Sequence, residues 1–226
     1  MRYAAVLVLI LVAVSCTEYG AYDYVILKPE NDFIPIYYIL GMLDDGFFRL
    51  TDLDEGDLAP DFIESFNPRE IYEAELFEYY IRVLMREEGI ETELSVSKDM
   101  QGHIIFKSEE VTEIIYSYYE KIDVGNPVMD IAIFNGNREA MISYLAGVYS
   151  RSYYNERLWL HITQDLKAGL VVKLLQELTC GEIKVTRIEV KDYRNLSLGG
   201  YDIPVSYKCG LELEQKLKNY DIDIRQ

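Results

Sequence analysis

Tyr38-Ile39-Leu40-Gly41-Met42-Leu43-Asp44-Asp45-Gly46 and Tyr144-Leu145-Ala146-Gly147-Val148-Tyr149-Ser150 are two apolar stretches, each built around a glycine and placed in opposite halves of the chain. The first closes an uncharged run over residues 35–43 that ends in Asp-Asp-Gly, the pattern of a buried helix stopping at a glycine. The second lies in a segment, 137–149, whose Met141, Tyr144, Leu145 and Val148 fall on one helical face.

Working outward, the two stretches sit in similar surroundings. After the first come an expected short strand at 47–50 and an acidic stretch, 51–66, that reads as a surface loop. A helix follows, with Asn67 as N-cap, Pro68 at its first position, Glu70 at the capping-box position and Gly89 closing it. Segments 90–97 and 102–106 read as a hairpin. From Ser108 onward Val111, Ile114, Ile115, Tyr118, Tyr119 and Ile122 form one helical stripe, with Glu109 and Glu110 at its positive end. Gly125-Asn126-Pro127 then breaks the chain.

The second half repeats the order: a helix over 137–149, a strand over 158–162, and a helix over 165–178 capped by Thr163. Its stripe is Leu166, Leu170, Leu174, Leu175 and Leu178. Strands over 182–190 and 201–207 and a closing helix over 211–217 complete it, with Pro204 suggesting a sheet edge. An internal duplication explains the order economically. The fold class expected is α+β, two pseudo-symmetric αββαββ-type halves with antiparallel sheets packed on helices. The divisions are a signal at 1–15, a tether at 16–32, and halves at 33–124 and 125–226.

With these segments the chain resembles the LAGLIDADG family. Residues 38–46 look like its first signature helix and residues 144–150 like its second. The resemblance implies two glycine-containing helices at a central interface beneath two saddle-like sheets. It also implies acidic residues at the helix ends that hold divalent metals and activate water for phosphodiester cleavage. The first motif is one residue short between Gly41 and Gly46, and the second carries Ser150, Arg151 and Ser152 where the family would supply its acid. Asp44 or Asp45 could ligate Mg²⁺, or the pair could simply be helix-ending turn chemistry. On this resemblance the chain is a catalytically degenerate copy.

Charge and the N-terminus point elsewhere. The 226 residues carry 22 Lys and Arg against 39 Asp and Glu, a formal charge of −17. Such a field repels phosphate, and no Lys/Arg-rich run offsets it, so nucleic acid is disfavoured as a partner. The acid is densest over residues 44–93, with sixteen Asp and Glu against four Arg, which suits a solvated face or a docking surface for a basic partner or cation. Arg2, an apolar core at 4–14 and a small-residue end occur in signal-peptide order. Val12-Ala13-Val14-Ser15-Cys16 resembles a bacterial lipobox, with Cys16 to be lipidated, although Ala13 stands where Leu is usual. Short apolar runs also read as buried strands. Cys180 and Cys209 would then remain as an even pair, either one disulfide or two buried thiols. Asn195-Leu196-Ser197 is a glycosylation sequon in a eukaryotic host.

No phosphate loop, zinc helix or nucleophile elbow occurs. His103 and His161 fall in expected strands and read as hydrogen-bonded structural residues. The pairs Tyr79-Tyr80, Tyr118-Tyr119 and Tyr153-Tyr154 read as packing before they read as a ligand platform. The leading expectation is therefore an exported, lipid-anchored, non-catalytic protein of the cell envelope or exterior. It needs no cofactor, meets the membrane through Cys16, and binds an unknown protein or small ligand through its sheet surface or acidic loop. The alternative is an intracellular LAGLIDADG-like DNA-binding protein or endonuclease, with residues 6–14 structural and Mg²⁺ at Asp44 or Asp45.

Overall fold

The computed structural model describes residues 33–43, 61–119, 129–152, 159–162, 165–178, 186–191 and 197–204. Asp44, Asp45, the three cysteines, Asn195, and the expected signal, tether, 47–50 strand and closing helix lie outside them. The first half runs α1 (Pro35–Met42), β1 (Phe62–Phe66), α2 (Ile71–Glu88), β2 (Ser95–Lys98), β3 (Ile104–Lys107) and α3 (Glu109–Tyr116). A single 3-10 turn, Ile131–Phe134, leads into the second: α4 (Arg138–Ser152), β4 (Trp159–Ile162), α5 (Asp165–Glu177), β5 (Thr186–Lys191) and β6 (Ser197–Pro204).

Among the described residues each half builds a three-stranded antiparallel sheet, in the orders β1-β3-β2 and β4-β6-β5. In both, the last strand in sequence lies at the centre, so the halves share topology as well as order. The protein is α+β, two like halves with antiparallel sheets packed on helices.

Local chemistry explains the boundaries. Asn67 and Glu70 form half of the expected box, the Asn67 N–H donating to Glu70 Oε2 at 2.7 Å, while Asn67 Oδ1 accepts from the Arg69 N–H at 3.0 Å and not from Glu70. They shape a turn, however, and α2 begins only at Ile71. It ends in a Schellman closure, with Gly89 at φ +69° and the Ile90 N–H donating to Met85 O at 2.8 Å. Ser108 caps α3 by accepting from the Val111 N–H, and Val111 and Ile115 are buried. Asn137 Oδ1 caps α4, accepting from the Glu139 and Ala140 N–H groups at 2.9 and 3.2 Å.

The first sheet has a well-defined inner face. Phe77 of α2 packs on Phe66 at 5.0 Å and Phe106 at 5.3 Å between ring centroids. Strand alternation puts Ser65, Ser95, Ser97, Ile105 and Lys107 on the opposite face. In the second sheet Leu160, Ile162 and Ile203 are buried while His161 and Asp202, directly opposite each other, face outward.

Three expectations are corrected. Residues 62–66, read as loop, are strand β1; its Glu64 is buried, which hides the alternation. Pro204 does not mark an edge: it ends the central strand β6, where a missing donor costs little. The stripe of α5 is rotated, with Leu166 50% exposed and Lys167 in the interior.

Candidate functional site

The two glycine-centred helices, α1 and α4, cross at the centre of the molecule. A Cβ on Gly41 would stand 2.0 Å from Tyr144 O and 2.9 Å from Val148 N. One on Gly147 would stand 2.1 Å from Tyr38 O and 3.0 Å from Met42 N. Backbone therefore meets backbone, and only glycine at both positions permits it. Around the crossing the polar groups are satisfied locally. Ser143 Oγ accepts from the Ile34 N–H at 3.0 Å and donates to Glu139 O at 2.8 Å. Tyr38, wholly buried, pairs its hydroxyl with Ser150 Oγ at 2.8 Å; burial raises its phenol well above the ordinary range despite that bond.

At the C-terminal end of α1 the character changes from apolar to ionic. Arg151, near the end of α4, donates from Nη1 to Met42 O at 2.9 Å and from Nη2 to Ser65 O at 3.0 Å. Its Nη1 also lies 3.2 Å from Glu64 Oε2, and its Nε lies 3.2 Å from Glu70 Oε1. The guanidinium carbon stands 4.4 Å from the centre of the Phe66 ring. Lys167 of α5 reaches the same end, its Nζ donating to Gly41 O at 2.9 Å and to Leu43 O. Three successive carbonyls at the end of α1 are thus held by two cations from the second half, where the helix dipole is negative. Beside them, burial raises the carboxyl of Glu73 above its ordinary range; Glu70 adds to the effect and Arg151 opposes it.

No protein-family model matches the sequence, and no curated protein matches it. Solved structures do. Mesophilic variants of the homing endonuclease I-DmoI align with a TM-score of 0.53 at 14% identity, over 80% of this chain and 93% of theirs. I-DmoI in complex with DNA and Ca aligns at 0.53 and 13%, over 80% of this chain and 87% of its own. The complex with DNA and Mn gives 0.53 and 13%, over 80% and 94%.

The fold is the LAGLIDADG fold. The glycine crossing and the two sheets of like topology are what residues 38–46 and 144–150 implied. The leading expectation, an exported and lipid-anchored binding protein for which nucleic acid is an unsuitable partner, is corrected: the structures that share this fold are of a homing endonuclease, some of them bound to DNA. Net charge sums the whole surface and does not say where the acid lies. The helix α2 carries five Glu and packs on the inner face of the first sheet through Phe77, so solvated carboxylates such as Glu75 lie on the side away from the other face. The outward strand positions of that sheet, among the described residues, are Phe62, three serines, Ile105 and Lys107, and the Lys107 ammonium pairs with the Asp61 carboxylate at 3.1 Å. Among the described residues no helix is long and apolar enough to cross a membrane.

The LAGLIDADG fold implies divalent metal at the helix ends, and the described residues there do not fit it. Hard cations such as Mg²⁺ and Ca²⁺ need several oxygen ligands. Here, among the described residues, the carboxylates of Glu64 and Glu70 already hold Arg151, burial disfavours the charged form of Glu73 beside them, and no group of three His, Cys, Asp or Glu able to hold a metal occurs. No catalytic step is therefore derived through a metal.

Both histidines are engaged by aspartates: His103 Nδ1 lies 2.9 Å from Asp99 Oδ2, and His161 Nδ1 lies 2.9 Å from Asp202 Oδ1. The His103 contact is the main cause holding the Asp99 carboxyl below its ordinary range. Of the tyrosine pairs, Tyr153-Tyr154 lies outside the described residues, and the other two pack on neighbouring rings. Tyr80 meets Tyr38 at 4.0 Å and Tyr79 at 5.2 Å between centroids, and Tyr118 meets Tyr37 at 5.8 Å. Sequence reading noted Arg151 as a departure from the motif but missed its partners, and it missed Lys167 altogether. The signal for Lys167 was present: positions 167, 171, 174 and 178 recur at helical spacing and carry Lys, Val, Leu and Leu.

Proposed function

We propose that this chain is a LAGLIDADG-type DNA-binding protein whose cleavage centre is degenerate. The observation that carries the reading is the backbone-on-backbone crossing at Gly41 and Gly147, which sets two antiparallel sheets of identical strand order side by side. I-DmoI, solved in complex with DNA, has this fold. The outward positions of the first sheet support it, with Ser65, Ser95 and Ser97 able to hydrogen-bond and Lys107, paired with Asp61 at 3.1 Å, able to exchange that carboxylate for a phosphate. Degeneracy follows from Ser150, Arg151 and Ser152, which bring hydroxyls and a permanent cation to the end of α4 in place of an acid.

The test is selection of bound duplexes from a random library by the purified chain, followed by gel-shift titration of salt on the enriched sequence. A binding constant that falls log-linearly with salt is expected, and Lys107→Ala should lower the slope by about one while leaving the preferred sequence unchanged. Failure to enrich any duplex, with no retardation at the lowest salt, would refute the reading.

A further inference from the structure

We propose that the Arg151 guanidinium is a resident cation that takes the place of a divalent metal at the end of the helix pair. It closes an oxygen cage that the chain itself builds, so that this end needs no metal and accepts none. The inference concerns the folded chain alone and does not depend on DNA binding.

Four oxygens from three elements converge on the one side chain: Met42 O from the end of α1, Ser65 O and Glu64 Oε2 from β1, and Glu70 Oε1 from the residue before α2. All are hard donors of the kind that bind Mg²⁺, Ca²⁺ or Mn²⁺. Arg151 is 12% exposed and Glu64 5%, so neither charge is met chiefly by water. A guanidinium stays protonated at any working pH and presents its donors in a fixed planar fork. The Nη1, Nη2 and Nε groups are all used, and the Phe66 ring lies close to the guanidinium carbon.

The arrangement reads as two linked changes. The end of the second signature helix carries a positive charge where the LAGLIDADG pattern has an acid, and β1 carries a carboxylate at a buried strand position. Without Arg151 the Glu64 carboxylate would be a buried charge with no cation against it, which is strongly unfavourable. Together they offset each other, and among the described residues the oxygens a metal would take are already engaged.

The test is thermal melting of the full chain in EDTA and in Mg²⁺, Ca²⁺ or Mn²⁺, with Mn²⁺ uptake read by electron paramagnetic resonance. The wild-type midpoint should be the same in EDTA and in each metal, with no tightly bound Mn²⁺. Arg151→Met should melt several degrees lower in EDTA, and Mn²⁺ should return part of the loss with stoichiometric uptake at the vacated oxygens. In Arg151→Met/Glu64→Gln that response should vanish and the EDTA midpoint should rise above that of Arg151→Met, a suppression that simple loss of packing would not produce. If Arg151→Met does not fold, Arg151→Lys, which keeps the charge, should melt between the extremes expected and stay insensitive to metal. Tight Mn²⁺ binding by the wild type, an Arg151→Met protein as stable as wild type or indifferent to every metal, or a metal-responsive Arg151→Lys would each overturn the proposal.

Discussion

The middle of the α1–α4 crossing and its end are built on opposite principles. In the middle, Gly41 and Gly147 bring backbone against backbone, closer than any side chain would allow. From the Gly41 carbonyl onward, Lys167 and Arg151 reach backbone carbonyls, and Arg151 also meets two carboxylates. The middle keeps what the LAGLIDADG fold needs in order to form. The end holds cations where that fold implies acids and metal. Packing and chemistry within one interface can therefore diverge independently, because steric closeness constrains residue size and ionic contacts constrain only charge balance.

The contrast makes graded demands on single substitutions. Gly41→Ala should have the largest effect, because the new methyl meets the Tyr144 carbonyl, which belongs to a helix and cannot swing aside. We expect a loss of about 3 kcal/mol or more in denaturant unfolding, at the upper end for overpacking. Gly169→Ala is the matched control: nothing lies within 4 Å of its new methyl, and helix propensity should make it more stable by roughly 0.5–1 kcal/mol. If both glycine variants behaved alike, the crossing would not be the tight contact described. Lys167→Met comes next. It keeps the stem and removes the charged donor from two carbonyls of α1, and about 2 kcal/mol should be lost in the same assay.

The smallest effect is expected at Glu73, whose carboxyl burial raises above its ordinary value of 4.5. A raised carboxyl favours the folded state fully below that ordinary value, and the benefit is lost as pH rises through the folded value. At neutral pH the charge is therefore held at a disadvantage in the folded protein. Glu73→Gln should raise the melting midpoint slightly at neutral pH, the gain staying small because the group is partly solvated. The difference should vanish in melts below pH 4.5. A gain that persisted in acid would mean that charge is not its cause.

Much of the fold was legible because its signals are local. The stripe with Val111 and Ile115, the Gly89 stop and the two glycine-centred helices each depend on residues a few positions apart. Strand β1 was not legible, and the reason is physical: Glu64 occupies a buried strand position, tolerable only because Arg151 neutralises it from a distant helix. The site shared that difficulty. Arg151 stands out in sequence as a lone charge after an apolar helix, yet its partners lie 81 to 109 residues earlier, beyond the reach of periodicity or motif. Lys167 was hidden by the leucines beside it, since a stripe drawn through Leu166 turns the wrong face of α5 inward.

The cations that finish α1 also set a timetable for making the protein. Gly41 precedes Lys167 by 126 residues, and Met42 precedes Arg151 by 109. At typical synthesis rates of roughly 5–20 residues per second, the nascent helix waits on the order of 5–25 s for its last hydrogen-bond partners. Pro35, Ile36, Tyr38, Ile39, Leu40 and Met42, all buried at completion, are during that interval a sticky segment that α2 covers on one side only, through Tyr80 against Tyr38. Chaperone capture on this chain should therefore centre on residues 35–43 and end as the second half arrives.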